Sequence, residues 1–144
     1  MSVPTIRNKR AETHRKAIDA VLHLLEARGF GFETFGDKRG EKIHVTSYQG
    51  KPLAVPFVNL EVHGSNLSLS KHVLAPAEKP VEDEKEMVVC VSLRQQYIPQ
   101  FLFFTNDEAA QRWHPSGEKS FFSTDKDNPD PDGVRKILEV GKSA

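Results

Sequence analysis

The sequence predicts an α/β domain: a mixed β-sheet of about five or six strands, with a long N-terminal helix on one face and a second helix after the central strands. Three observations predict it. A stretch free of Gly and Pro with helical periodicity opens the chain, apolar runs of strand length fill its middle, and polar turn chemistry separates them. At 144 residues, with 38% hydrophobic and 28% charged side chains, the composition is that of one globular domain spanning 1–144.

From Thr5 to about Arg28, the apolar residues Ala17, Ile18, Val21, Leu22, Leu24 and Leu25 recur at the i, i+3, i+4, i+7 spacing of an amphipathic helix, and Gly29 supplies its C-terminal cap. Residues 1–10 before this stripe form a basic N-terminal arm. Phe30, Phe32 and Phe35 mark a short strand, and Gly36-Asp37-Lys38-Arg39-Gly40 is turn chemistry. Lys42 to Tyr48 and Leu53 to His63 alternate as two antiparallel strands joined at Gln49-Gly50-Lys51; Pro52 and Pro56 place the start of the second at an edge or bulge. Asn66 to Val73 reads as a further short strand, and the acidic, Pro-bearing Ala75 to Glu86 as an exposed connection. Met87 to Leu93 and Phe101 to Thr105 are near-continuous apolar runs suited to the middle of a sheet. Asn106 or Asp107 caps a short helix to about Trp113, residues 115–131 form a long loop anchored by Phe121 and Phe122, and Asp132 caps a last helix through Val140.

Composition also bounds function. No window approaches the ~18 consecutive apolar residues of a membrane span, and the chain opens with charges where a signal peptide has an apolar region, so a cytoplasmic location and no membrane partner are expected. The single cysteine, Cys90, sits among valines, which predicts a buried, inert thiol. Net charge is zero, but residues 1–72 hold 11 Lys/Arg against 7 Asp/Glu and residues 73–144 hold 9 against 13. The positive excess at Arg7, Lys9, Arg10, Arg15 and Lys16 could meet a polyanion or be a solvated face, and the turn residues Lys38 and Arg39 could touch a phosphate backbone. No phosphate-binding loop or nucleophile elbow is present in the sequence.

The phrases "AIDAVLHLLEARGF", "LEVHGSNLSLSKH" and "VVCVSLRQQYIPQFLFFTNDEAA", in this order over roughly residues 10–113, resemble the restriction-endonuclease-like, or PD-(D/E)XK, superfamily. The resemblance implies a site in which an acid on one strand and Glu-x-Lys on the next hold Mg²⁺ and position water for phosphodiester attack. Carboxylates suit a hard cation, and period two puts Glu and Lys on one face. Glu61-Val62-His63 occupies the Glu-x-Lys slot with His63 in place of Lys, and His44 stands where the first Asp is expected; Asp37 or Glu41 could substitute, and Glu12 falls where some relatives keep an additional ligand. The implied catalytic set is thus Glu61, His63, Asp37 and Glu12.

Two readings stay open. One is an accessory protein of nucleic-acid processing with a degenerate site, or an atypical one in which His44, Glu61 and His63 bind Mg²⁺, Mn²⁺ or Zn²⁺ and Arg7, Lys9, Arg10, Lys38 and Arg39 contact nucleic acid. The other is a non-enzymatic module on the same scaffold that binds another protein.

Overall fold

The computed structural model describes residues 6–37, 40–69, 71–76, 78–80, 86–95, 98–124, 130 and 132–142; the side chains of residues 6–11, 37, 40 and 41 lie outside that description. Helix α1 (Ile6–Ala27) carries the expected stripe, with Ala17, Ile18, Val21 and Leu25 buried. It starts inside the stretch expected as an arm, since residues 6–10 are already helical. Gly29, at a φ of 82°, ends it with its N–H donating to the Glu26 carbonyl.

Strands β1 (Phe30–Asp37) and β2 (Gly40–Tyr48) form an antiparallel hairpin. A second turn at Gln49-Gly50, both at positive φ, folds the short β3 (Lys51–Pro52) back onto β2. Positive φ at both central residues gives the twist of a type I′ turn, which matches the flanking strands. The expected single strand from Leu53 to His63 is interrupted instead. After β3 the chain leaves the sheet and re-enters at Val58 as β4 (Val58–Ser65), with Pro56, which cannot donate to a ladder, inside the break.

Strands β6 (Glu86–Ser92) and β7 (Gln100–Thr105) complete a six-stranded mixed sheet in the order β1-β2-β4-β6-β7, with β3 beside β2. Strands β4 and β6 run parallel, and the other pairs are antiparallel. Register sorts the side chains by face. Ile43, Val45, Val58, Leu60, Val62, Met87, Val89, Val91 and Phe103 point to one side and pack on α1 and on α3 (Val134–Lys142). Val88, Cys90 and Phe104 point to the other, where Val73, Ala109 and Phe122 cover them. The expected architecture of a mixed sheet with the first helix on one face holds.

The cover of that second face was illegible as such. Where a short strand at 66–73 and a long loop at 115–131 were expected, β5 (His72–Leu74), β8 (Trp113–Ser116) and β9 (Lys119–Ser123) form a small antiparallel sheet in the order β5-β9-β8. Residues 81–85, which hold the acidic run, lie outside the described residues. Helix α2 (Asn106–Arg112) is capped by Thr105, not by Asn106 or Asp107: the Glu108 N–H donates to Thr105 Oγ1 and the Thr105 N–H to Glu108 Oε1, a capping box. Helix α3 is started by Asp130, whose carboxylate accepts the N–H groups of Asp132 and Arg135. Asp132, the expected cap, instead pairs with Arg28 at the end of α1. Helices α2 and α3 are joined by Lys136, 8% exposed, whose ammonium donates to both carboxylate oxygens of Glu108.

Candidate functional site

The face of the sheet opposite α1 is sealed over β6 and β7 and open over β1 and β2. The cross-strand partners Glu33, His44, Asn59 and Glu86 form one row across four strands on this face. Glu61 and His63 follow along β4 at period two, so both expected residues share the face, as Glu-x-Lys would. His63 lies beside Cys90 in the parallel register, near the covered end, while Glu61 is the more open of the two.

His63 Nε2 is 3.4 Å from Glu61 Oε1. This is a loose contact and not an aligned hydrogen bond, and Nε2 is a buried polar atom without a hydrogen-bond partner among the described residues. Contact with His63 holds the Glu61 carboxyl below its ordinary value; partial burial opposes this, and the charges of His63 and Lys42 reinforce it. On the other side of Glu61, Asn59 Nδ2 donates to Glu86 Oε1 and Asn106 Nδ2 to Glu86 Oε2, which leaves Asn59 Oδ1 buried and unpartnered among the described residues. Polar capacity is therefore unspent on both sides of Glu61.

His44 is not brought to this pair. Its ring stacks on Phe57, with centroids 4.0 Å apart and planes 11° apart, and lies 4.7 Å from Phe35 on its β1 side. Phe35 and Phe57 are both exposed, so the three rings form an aromatic ledge at the N-terminal end of β4. Among the described residues no three His, Cys, Asp or Glu side chains are placed to hold a metal ion. The expected ligand set His44, Glu61 and His63 is corrected accordingly: cross-strand register pairs His44 with Asn59, and the phenyl rings hold the imidazole in their stack. Glu12 is exposed on α1 and pairs with Lys16 one turn later, on the helix that packs against the opposite face. The side chains of Asp37, Glu41, Arg7, Lys9 and Arg10, and residues Lys38 and Arg39, lie outside the described residues.

Cys90 is buried as expected. Desolvation, with the Glu61 charge adding to it, pushes its thiol up to about 12. Phe103 and Phe104 are buried in the two cores, and Trp113 closes α2 and donates its indole N–H to the Pro76 carbonyl.

Sequence reasoning missed a second concavity, at the C-terminal end of β4. It has a volume of about 630 Å³ and lies between the chain leaving β4, the chain leaving β6 and the small sheet, with Arg94, Lys119 and His72 on its wall. These residues are scattered over three segments that pattern reasoning does not bring together. No described helix is long and apolar enough to cross a membrane. Comparison of the chain with family models, with curated proteins and with solved structures finds no match.

Proposed function

We propose that this chain is a nucleic-acid-associated protein on a restriction-endonuclease-like scaffold that binds without cutting. The observation that supports it most is the exposed ledge of Phe35, His44 and Phe57 beside a Glu61–His63 pair that has no third ligand among the described residues. Exposed rings on a sheet face offer unpaired bases a stacking surface, and each base stacked contributes about 1–3 kcal/mol. Lys42, whose charge is felt at Glu61, stands on the same face as Phe35. On this reading Arg7, Lys9, Arg10, Lys38 and Arg39 supply phosphate contacts, and His44 serves the ledge instead of a metal.

The test pairs binding with cleavage. A labelled single-stranded oligonucleotide is titrated at low and moderate salt, and plasmid nicking is measured with Mg²⁺, Mn²⁺ and Zn²⁺. Binding is expected at low salt, weakening as salt rises because each phosphate contact releases counterions, with a flatter slope after Arg7, Lys9 and Arg10 are replaced by Ala. Phe35→Ala with Phe57→Ala lowers affinity about tenfold or more, Glu61→Ala leaves it unchanged, and no ion supports nicking. Nicking with Mg²⁺ that disappears in Glu61→Ala makes the chain a working nuclease. Absence of binding at low salt leaves the second reading, a module that holds another protein.

A further inference from the structure

We propose that the concavity between β4, β6 and the small sheet is a binding site for a small phosphomonoester with an aromatic or other apolar body, of which a nucleoside monophosphate is one natural form. The proposal rests on the lining chemistry and is independent of the reading of Glu61. Strands β4 and β6 are parallel neighbours, and the site opens where both end: Ser65 closes β4, and Arg94 follows β6 by two residues. The C-terminal ends of parallel strands are where α/β sheets bind ligands, because chains diverging there leave a crevice.

The walls are tied in place. The buried Ser92 donates its hydroxyl to the Leu67 carbonyl at 2.7 Å, and the Leu93 N–H donates to the Ser65 carbonyl at 2.8 Å. The Arg94 N–H in turn reaches Ser92 Oγ, so one side chain fixes both the segment leaving β4 and the start of the segment carrying Arg94. Opposite them, the β8–β9 turn at Gly117 holds Lys119, and the Ala75 N–H donates to the Ser120 carbonyl to keep β5 against it. The His72 ring meets Phe121 edge-on at 4.7 Å.

Charge then selects the ligand. Residues 73–144 carry 13 carboxylates against 9 Lys/Arg, yet among the described residues the lining takes Arg94 and Lys119 from that half and none of its acids. Among the described residues no carboxylate is paired with either cation. Arg94 offers a planar fork, Lys119 an ammonium and Ser68 a hydroxyl to the same space, a donor set matched to phosphate oxygens. Leu69, Val73 and Phe121 supply an apolar floor that inorganic phosphate alone would leave uncovered. The volume of about 630 Å³ lies within the range of small-molecule sites, about 300–1,000 Å³.

Calorimetric titration of the full chain with phenyl phosphate, inorganic phosphate, adenosine monophosphate and benzoate tests this. Phenyl phosphate is expected to bind saturably, more tightly than inorganic phosphate and more tightly than benzoate. Arg94→Gln and Lys119→Gln each weaken it about tenfold, while Lys51→Gln, at the far hairpin, leaves it unchanged. Arg94 and Lys119 are exposed, so the variants keep the wild-type urea midpoint. Adenosine monophosphate binding that a single-stranded oligonucleotide does not displace assigns the phosphate to a small molecule; displacement that is lost in Arg94→Gln assigns it to a strand and overturns the small-molecule form. The proposal also fails if no phosphate compound saturates below about 10 mM, if benzoate matches phenyl phosphate, or if Arg94→Gln combined with Lys119→Gln binds like wild type.

Discussion

Removing the Glu108 carboxylate should be among the most damaging single changes in the molecule, and its size follows from two roles. The first is its half of the capping box at the start of α2, where its carboxylate accepts the Thr105 N–H, a hydrogen bond worth about 1 kcal/mol. The second is the only charge partner described for the Lys136 ammonium on α3, whose side chain is 10% exposed. Stranding a buried charge costs about 3–5 kcal/mol; the low end applies because the Glu108 side chain keeps 28% of its exposure and water already reaches that side of the pair. Glu108→Ala is therefore expected to cost about 3–4 kcal/mol in urea unfolding at neutral pH. With an unfolding entropy of about 2.1 cal/mol/K per residue over 144 residues, the melting temperature falls by about 10–13 °C. Lys136→Met keeps the stem's packing and costs about 1–2 kcal/mol. The double variant, with no charge stranded, should be more stable than Glu108→Ala alone. Acid exposes the same pair. Burial raises the Glu108 carboxyl, but Lys136 and Thr105 together bring it below its ordinary value. Its contribution is then complete above the unfolded carboxyl value and is lost as pH falls through the lower folded one, so in acid the wild-type urea midpoint should drop more steeply than that of Glu108→Gln. A cost below about 1 kcal/mol for Glu108→Ala, or strict additivity in the double variant, would refute the reasoning.

Three further outcomes are expected. Gly64→Ala places a methyl 2.6 Å from Ala17 Cβ and 3.1 Å from the Thr13 carbonyl, where α1 crosses β4, and should cost about 1–3 kcal/mol by urea unfolding; a neutral result means the helix can lift off the strand freely. The Cys90 thiol, pushed up to about 12 by burial, should react with a thiol reagent near pH 8 only as fast as the fold opens, so its labelling should accelerate with sub-denaturing urea and in Glu108→Ala. Ser92→Ala removes the hydroxyl that donates to the Leu67 carbonyl and should cost about 1–2 kcal/mol while weakening phenyl phosphate binding; unchanged affinity would separate that tie from the Arg94 site.

What the sequence made legible were the elements whose pattern is local. The α1 stripe, the Gly29 cap, the turn at Gln49-Gly50 and the apolar strands β6 and β7 all follow from spacing and turn chemistry within a few residues. The Cys90 environment was legible for the same reason, since its neighbours in sequence are also its strand. The small sheet was not: β5 holds three residues and meets β9 about fifty residues away, and polar composition at 113–123 reads as loop when only alternate side chains need burial. The cap assignments slipped by one or two residues because Ser, Thr, Asn and Asp cluster before α2 and α3, and only geometry picks the one whose oxygen reaches a free N–H. At the site, period two placed Glu61 and His63 together. It could not foresee that Phe35 and Phe57, from two separate segments, would take up His44.

The parallel pairing of β4 with β6 sets an order of assembly. By residue 65 the growing chain already holds α1, the β1–β2 hairpin, β3 and β4, whose pairings all lie close in sequence. β6 can dock only after the connection from 66 to 85 has closed, and that closure entropy comes before the first hydrogen bond of the pair is made. Until then one flank of β4 stands open, with its backbone groups ready for any other strand. The finish comes from the far end of the chain: the Gly141 carbonyl of α3 accepts the N–H groups of Ala54 and Val55, beside the hairpin that formed first. Amide exchange should then divide the molecule unevenly, with the 53–55 bend opening whenever α3 detaches and the β2–β4 ladder surviving until global unfolding.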